Sequence, residues 1–199
     1  QKVIRKCRLT ERFKRWQSMS ITLMLYYLFG NHSGLNMNIF YLDHDEQKAA
    51  QYHCDKHVVK MILESAQLLS TAHRVLDGIV VEGKTASGRK KKVYKLNDER
   101  DTKLYSATHV NHPSAQWARL YRNNYVWLYR LMFYLCKEYT LRYGKVHKIE
   151  RDGMLQDLWV PPKALCCNPT YVPGISDMPQ AMPDDVKCND SVQAYRNYY

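Results

Sequence analysis

The segment from Glu46 to Arg74 constrains the fold more than any other, because its apolar residues repeat at helical and not at strand spacing. Cys54, Val58, Met61, Ile62, Ala66, Leu68 and Leu69 recur mostly three or four positions apart, which places them on one face of an α-helix. Asp43 or Asp45 stands where a side-chain oxygen caps the first free N–H groups, Asp45 being placed to satisfy them, and Glu46 suits the positive helix end. Gly78 lies just beyond the far end as a stop signal. A second run of the same kind starts at Asn111-His112-Pro113, extends to about Tyr143 and stops at Gly144. Its apolar stripe is Trp117, Leu120, Tyr121, Leu128, Leu131, Met132, Leu135 and Tyr139. The expected fold is therefore mainly α, a compact helical domain with two long packed helices. The apolar run Asn38–Leu42 adds a short N-terminal strand or extended lead-in.

The remaining segments read differently. Residues 79–104, with Gly83, Ser87-Gly88 and the run Arg89-Lys90-Lys91-Lys92, have the composition of a linker-like insertion. That basic run is either a solvated loop or a phosphate-binding loop. After Lys148 the prolines at 161, 162, 169, 173, 179 and 183 imply an irregular region. Asp184 to Tyr199 reads as the start of a third helix, with Val186, Val192 and Tyr195 toward the core, and no stop signal follows. Residues 37–199 are thus expected to form one helical domain, truncated at its C-terminus. Residues 1–36 pair a basic run, Lys2–Arg15, with an apolar run, Ile21–Phe29, that is far shorter than the ~20 residues a bilayer requires. They read as a non-native leader, with Met37 as the natural start.

Charge and cysteines narrow the setting. Of the net charge of +11, residues 1–36 hold +6 and residues 37–199 hold +5, a mild excess compatible with a DNA partner. Six cysteines form no CxxC pair, which disfavours a zinc ribbon or disulfide scaffold and fits a reducing, cytoplasmic compartment. Cys54 and Cys136 are expected as small buried hydrophobes within helices. No membrane association and no cofactor are expected, and the oligomeric state is left open.

On the first helix His53, His57, Lys60, Glu64, Gln67 and Thr71 also step by four and three, forming a polar stripe that borders the apolar face. Such a stripe either lines a cleft or is a solvated face with a Lys60–Glu64 pair. His53 and His57 form an HxxxH pair that two imidazoles can use to share a metal, with His73, His112 or His147 as a third ligand, but the general-base Glu of HExxH is missing. Glu64 with Lys60 and His57 supplies the acid/base and amine groups that glycosidic chemistry uses. At the second helix His112, Gln116 and Arg119 surround an N-terminus, either as a phosphate seat or as an ordinary cap with a surface Arg. Tyr121, Tyr125, Trp127, Tyr129, Phe133 and Tyr134 suit core packing better than base stacking.

The runs MNIFYLDHDEQKAAQYHCDKHVVKMILESAQLLSTAHRVLDG and NHPSAQWARLYRNNYVWLYRLMFYLCKEYTLRYGKVHK resemble uncharacterised proteins of phages, especially those of cyanobacteria and marine metagenomes. More distantly, the pattern Asp55-Lys56-His57…Lys60…Glu64…Gln67 followed by His112-Pro113 and Trp117 is similar to the pyrimidine-dimer DNA glycosylase superfamily. That resemblance implies a compact helical enzyme that flips a nucleotide out of DNA and attacks its sugar with an N-terminal amine. It assigns the carboxylate to Glu64 and the amine to Asn38 in a chain that begins there, with Lys60 or Lys56 as substitutes. Three functions are then open. They are a glycosylase/lyase acting on damaged or modified bases, with His53, Gln67, His112, Gln116 and Arg119 contacting the nucleic acid; a non-catalytic phage accessory protein binding DNA or a host protein; and a His-based metal-dependent hydrolase.

Overall fold

A computed structural model describes residues 38–84, 88–167 and 174–199, all within the unit Met37–Tyr199. Residues 1–36, expected as a leader, lie outside the described residues. The fold is mainly helical.

The first long helix is two helices, α1 (Glu46–Tyr52) and α2 (Asp55–Asp77). Asp45 caps α1 by accepting the Lys48 N–H at 2.8 Å. His53 and Cys54 then take extended backbone and break the helix that the unbroken apolar periodicity implies. The carbonyls freed by this break are taken up from across the fold. Arg142 donates to the His53 carbonyl at 2.6 Å and the Gln51 carbonyl at 3.0 Å, while its guanidinium pairs with Glu138 at 2.9 Å. A helix end left without such partners would be costly, so the break is a built joint. One consequence is that Cys54, expected in the core, is exposed, whereas Cys136 is fully buried as expected.

The second long run is also divided, into α4 (Pro113–Ala118) and α5 (Arg122–Tyr143). Tyr121 is extended at the joint. Buried Asn124 stabilises it, donating to the Trp117 carbonyl at 2.9 Å and to Ser176 Oγ at 2.7 Å, and accepting the Ser176 N–H at 3.0 Å. The rotation this break introduces turns Leu120 outward, 52% exposed, although the period had assigned it to the core. Gly144 ends α5 in the left-handed conformation (φ 64°), as its position predicts. The aromatic residues of α5 serve the core: Tyr125, Trp127 and Tyr129 are buried, and Phe133 and Tyr134 pack partly against it.

Residues 79–95 correct the linker reading. They form an antiparallel hairpin, β1 (Ile79–Lys84) and β2 (Lys90–Lys95), paired from Ile79↔Lys95 to Lys84↔Lys90. Gly78 joins α2 to it where a Cβ would collide with the Arg74 carbonyl and crowd that of Lys95 at 2.8 Å. Arg74, near the end of α2, anchors the hairpin base. It donates to the Tyr105 carbonyl at 2.6 Å, to the Tyr94 and Leu104 carbonyls at 2.9 Å each, and to Asp101 through both its carboxylate (2.6 Å) and its carbonyl (2.8 Å). Asp101 belongs to the short helix α3 (Arg100–Lys103).

Beyond α5 the Pro-rich region holds three further single-turn helices, α6 (Lys148–Arg151), α7 (Met154–Asp157) and α8 (Lys163–Cys166). A 3₁₀ turn (Asp184–Val186) and α9 (Ser191–Tyr198) occupy the predicted third helix, and Val192 and Tyr195 are buried while Val186 is partly so. The lead-in Asn38–Leu42 forms neither helix nor strand, and it is buried along its whole length. The Asn38 side chain pins it at one end: it donates to the Ala181 carbonyl at 3.0 Å, and its Oδ1 accepts the Ile39 N–H at 2.8 Å and the Tyr195 hydroxyl at 2.9 Å. Among the described residues no helix is long and apolar enough to cross a membrane.

Candidate functional site around Glu64

The polar stripe is turned inward. The lead-in and the end of α9 cover its first half, from His53 to Glu64, so that half is neither a solvated face nor an open rim. His53 is not on α2 at all: it closes α1 and is 1% exposed. Its ring lies between Phe40, edge-on at 6.2 Å, and Tyr199 at 5.9 Å. His53 Nδ1 lies 2.7 Å from the Ala49 carbonyl, an acceptor only, so that nitrogen carries the proton. Nε2 is then the unprotonated atom, buried without a partner among the described residues. His57, one helical turn into α2, stacks on Phe40 at 4.5 Å and meets the edge of Tyr199 at 5.0 Å. The Cys54 N–H donates to the Tyr199 hydroxyl, fixing that ring over the joint between α1 and α2.

Glu64 sits at the inner end of this arrangement. Its carboxylate is 3.1 Å from the Lys60 ammonium, with the two side chains only 11% and 17% exposed. The backbone N–H of Asn38 lies on the same side and favours the ionised form. Burial raises the Glu64 pKa above its usual value, and Lys60 and the Asn38 N–H offset that rise in part. One oxygen, Oε2, is buried with no hydrogen-bond partner among the described residues. The chemical content is thus a largely desolvated carboxylate with a raised proton affinity, a close ammonium and a backbone nitrogen, a set suited to proton transfer and to stabilising developing positive charge.

The other predicted site residues are not gathered here. Lys56 is exposed on the first turn of α2, and Gln67 is half-buried further along it. Thr71 bonds Thr108 in both directions, which marks where the segment leading to α4 meets α2. That point is about 10 Å along the helix axis from Glu64. Beyond it, His112 accepts the Ser114 N–H through Nδ1, Arg119 turns back to the Val110 carbonyl at 2.7 Å, and Gln116 is exposed. His112 therefore caps its own helix, and Arg119 is a half-buried structural group.

The metal reading loses its third ligand. His73 accepts from Arg100 at 2.8 Å through Nδ1 and donates to Tyr125, whose hydroxyl donates to the Leu158 carbonyl at 2.9 Å. His147 caps α6 by accepting the Ile149 N–H. Among the described residues no group of three His, Cys, Asp or Glu is placed to hold a metal ion.

Sequence reasoning missed Phe40, Tyr199 and Arg142 as members of this site. The only available signal was the tyrosine spacing of the last residues, Tyr195, Tyr198 and Tyr199, which is helical but silent about its target.

Burial holds His53, His57, His73 and His147 down to about 4. Between about pH 6.5 and 4 the unfolded chain then binds protons that the folded one refuses, so stability rises with pH across this window and falls on acidification. His53, the most buried of the four, contributes up to ~1.4 kcal/mol per pH unit there. Thermal melts at pH 7, 6 and 5 are expected to show a falling midpoint, and a shallower fall in His53→Gln. A midpoint that stays constant from pH 7 to 5 would show that these rings take up protons without unfolding.

Comparison with known proteins finds no family model, no curated protein and no solved structure that matches the chain.

Proposed function

We propose that the chain is a DNA-directed enzyme of the glycosylase/lyase type, acting on damaged or modified bases, with Glu64 as its acid/base. The observation that carries this reading is the buried Glu64 carboxylate, 3.1 Å from the Lys60 ammonium and beside the backbone nitrogen of Asn38. In a chain that begins at Asn38 that nitrogen is a primary amine, already held against a buried carboxylate. The amine adds to C1′ of the target sugar and the C1′–base bond breaks, the base leaving with a proton. The C1′–O4′ bond of the resulting N-glycosyl sugar then breaks, O4′ taking a proton from protonated Glu64, and an iminium forms at C1′. This iminium acidifies the C2′ proton, which the Glu64 carboxylate removes, and the bond to the 3′ phosphate oxygen then breaks. Lys60, 3.1 Å from Glu64, is the substitute amine where the chain extends further upstream. A host-cytoplasmic setting belongs to this reading, in keeping with the free state of the five described cysteines.

Borohydride trapping on DNA carrying an abasic site tests it. A form of the protein cleaved to start at Asn38 is expected to give a covalent adduct that acetylation of its α-amine removes. An adduct formed by the full chain and lost in Lys60→Met would assign the amine to Lys60. No adduct from any form, with duplex binding retained, would replace this reading with that of a non-catalytic DNA-binding accessory protein.

A further inference from the structure

The hairpin β1–β2 concentrates the charge of residues 37–199. Between Ile79 and Lys95 stand six cations (Lys84, Arg89, Lys90, Lys91, Lys92 and Lys95) against one carboxylate, Glu82, a net of +5. This equals the whole excess of residues 37–199, the remainder of which holds 17 cations and 17 carboxylates. A single short element therefore carries the field that an anionic partner would sense.

Its geometry narrows the partner. Cross-strand partners share a face, so the register puts Lys84, Lys90 and Lys92 with Glu82 on one side and Lys91 and Lys95 on the other. The Lys90–Glu82 contact at 3.5 Å joins two side chains that are 80% and 84% exposed, and such a pair is weak. The described residues of the distal half, 82–84 and 88–92, include no apolar side chain. A membrane surface would call for cations on one face and apolar residues on the other. A ribbon with cations on both faces instead matches a groove with phosphates along both walls, and the major groove of a duplex admits a two-stranded ribbon. The base is fixed to the domain by Arg74 through the Tyr94 carbonyl, so the ribbon is held and not merely tethered.

We propose that this hairpin is a nucleic-acid arm that docks along a DNA duplex through phosphate contacts. The inference rests on the DNA partner proposed above but not on the chemistry at Glu64.

Fluorescence anisotropy with a labelled duplex, using the full chain over a range of salt concentrations, tests it. The variant Lys90→Ala/Lys91→Ala/Lys92→Ala is expected to bind at least ~10-fold more weakly at low salt, with a log–log salt slope shallower by about 2–3. A triple variant with the parent's affinity and slope would overturn the proposal, as would a parent that does not bind duplex. So would a triple variant that loses binding to vesicles of anionic lipid while keeping its binding to DNA. Because the substituted side chains are exposed, circular dichroism of the variant should match that of the parent. Loss of duplex binding in the triple variant supports the arm even where borohydride traps no adduct, so the two readings can fail separately.

Discussion

Arg74→Met should lower the melting midpoint by about 6–20 °C, the largest stability loss expected of any single substitution in this fold. The side chain is 6% exposed and makes five hydrogen bonds that join α2 to the hairpin, to α3 and to the loop leading away from it. Methionine keeps the length of the stem and removes every donor. The Asp101 carboxylate then loses its buried partner, and the carbonyls of Tyr94, Asp101, Leu104 and Tyr105 lose theirs. Leaving four largely enclosed carbonyls without their donor costs roughly 3–5 kcal/mol in all, and each kcal/mol moves the midpoint of a domain this size by about 2–4 °C. Asp101 retains the Leu96 N–H, so Arg74→Met/Asp101→Asn should recover part of the loss. Melting followed by circular dichroism decides it, and a fall of under 3 °C would mean that water replaces the guanidinium at little cost.

Glu64→Gln carries the largest expected effect on activity. The substitution keeps the shape and the hydrogen-bonding oxygen but cannot move a proton or balance a developing cation. In the form beginning at Asn38, cleavage at an abasic site should fall by about 10²–10⁴-fold. Stability should fall as well, because the Lys60 ammonium, only 17% exposed, loses its carboxylate partner, so activity is compared in preparations shown to be folded by circular dichroism. A Gln variant that cleaves at the parent's rate would remove Glu64 from the chemistry, whatever amine forms the adduct.

Much of the helical architecture was legible in the sequence. The cap at Asp45, the helix start at Pro113, the stop at Gly144 and the core positions Val58, Met61, Ile62, Leu68 and Leu69 all follow from local rules, and all hold. The two helix breaks do not, because their partners are distant. Arg142 answers the carbonyl of His53 from 89 residues away, and Ser176 answers Asn124 from 52. Periodicity is blind to both. The hairpin was missed because β2 is nearly all lysine and lacks an apolar alternation, and its base is secured by Arg74 from α2. At the site, the Lys60–Glu64 pair was legible as an i,i+4 step. Its burial was not, since Phe40 and Tyr199 cover the stripe from segments that no local pattern connects to α2.

The bond between Asn38 and Tyr195 spans 157 residues. On a ribosome adding about 5–20 residues per second, the lead-in emerges roughly 8–30 s before the tyrosine that will pin it. Through that interval Ile39, Phe40, Tyr41 and Leu42 have no α9 to shelter beneath, and they form a sticky, strand-prone stretch near the front of the nascent domain. Slow synthesis therefore favours chaperone capture or aggregation over native closure. The yield of active protein should depend on translation speed more steeply than its equilibrium stability would suggest.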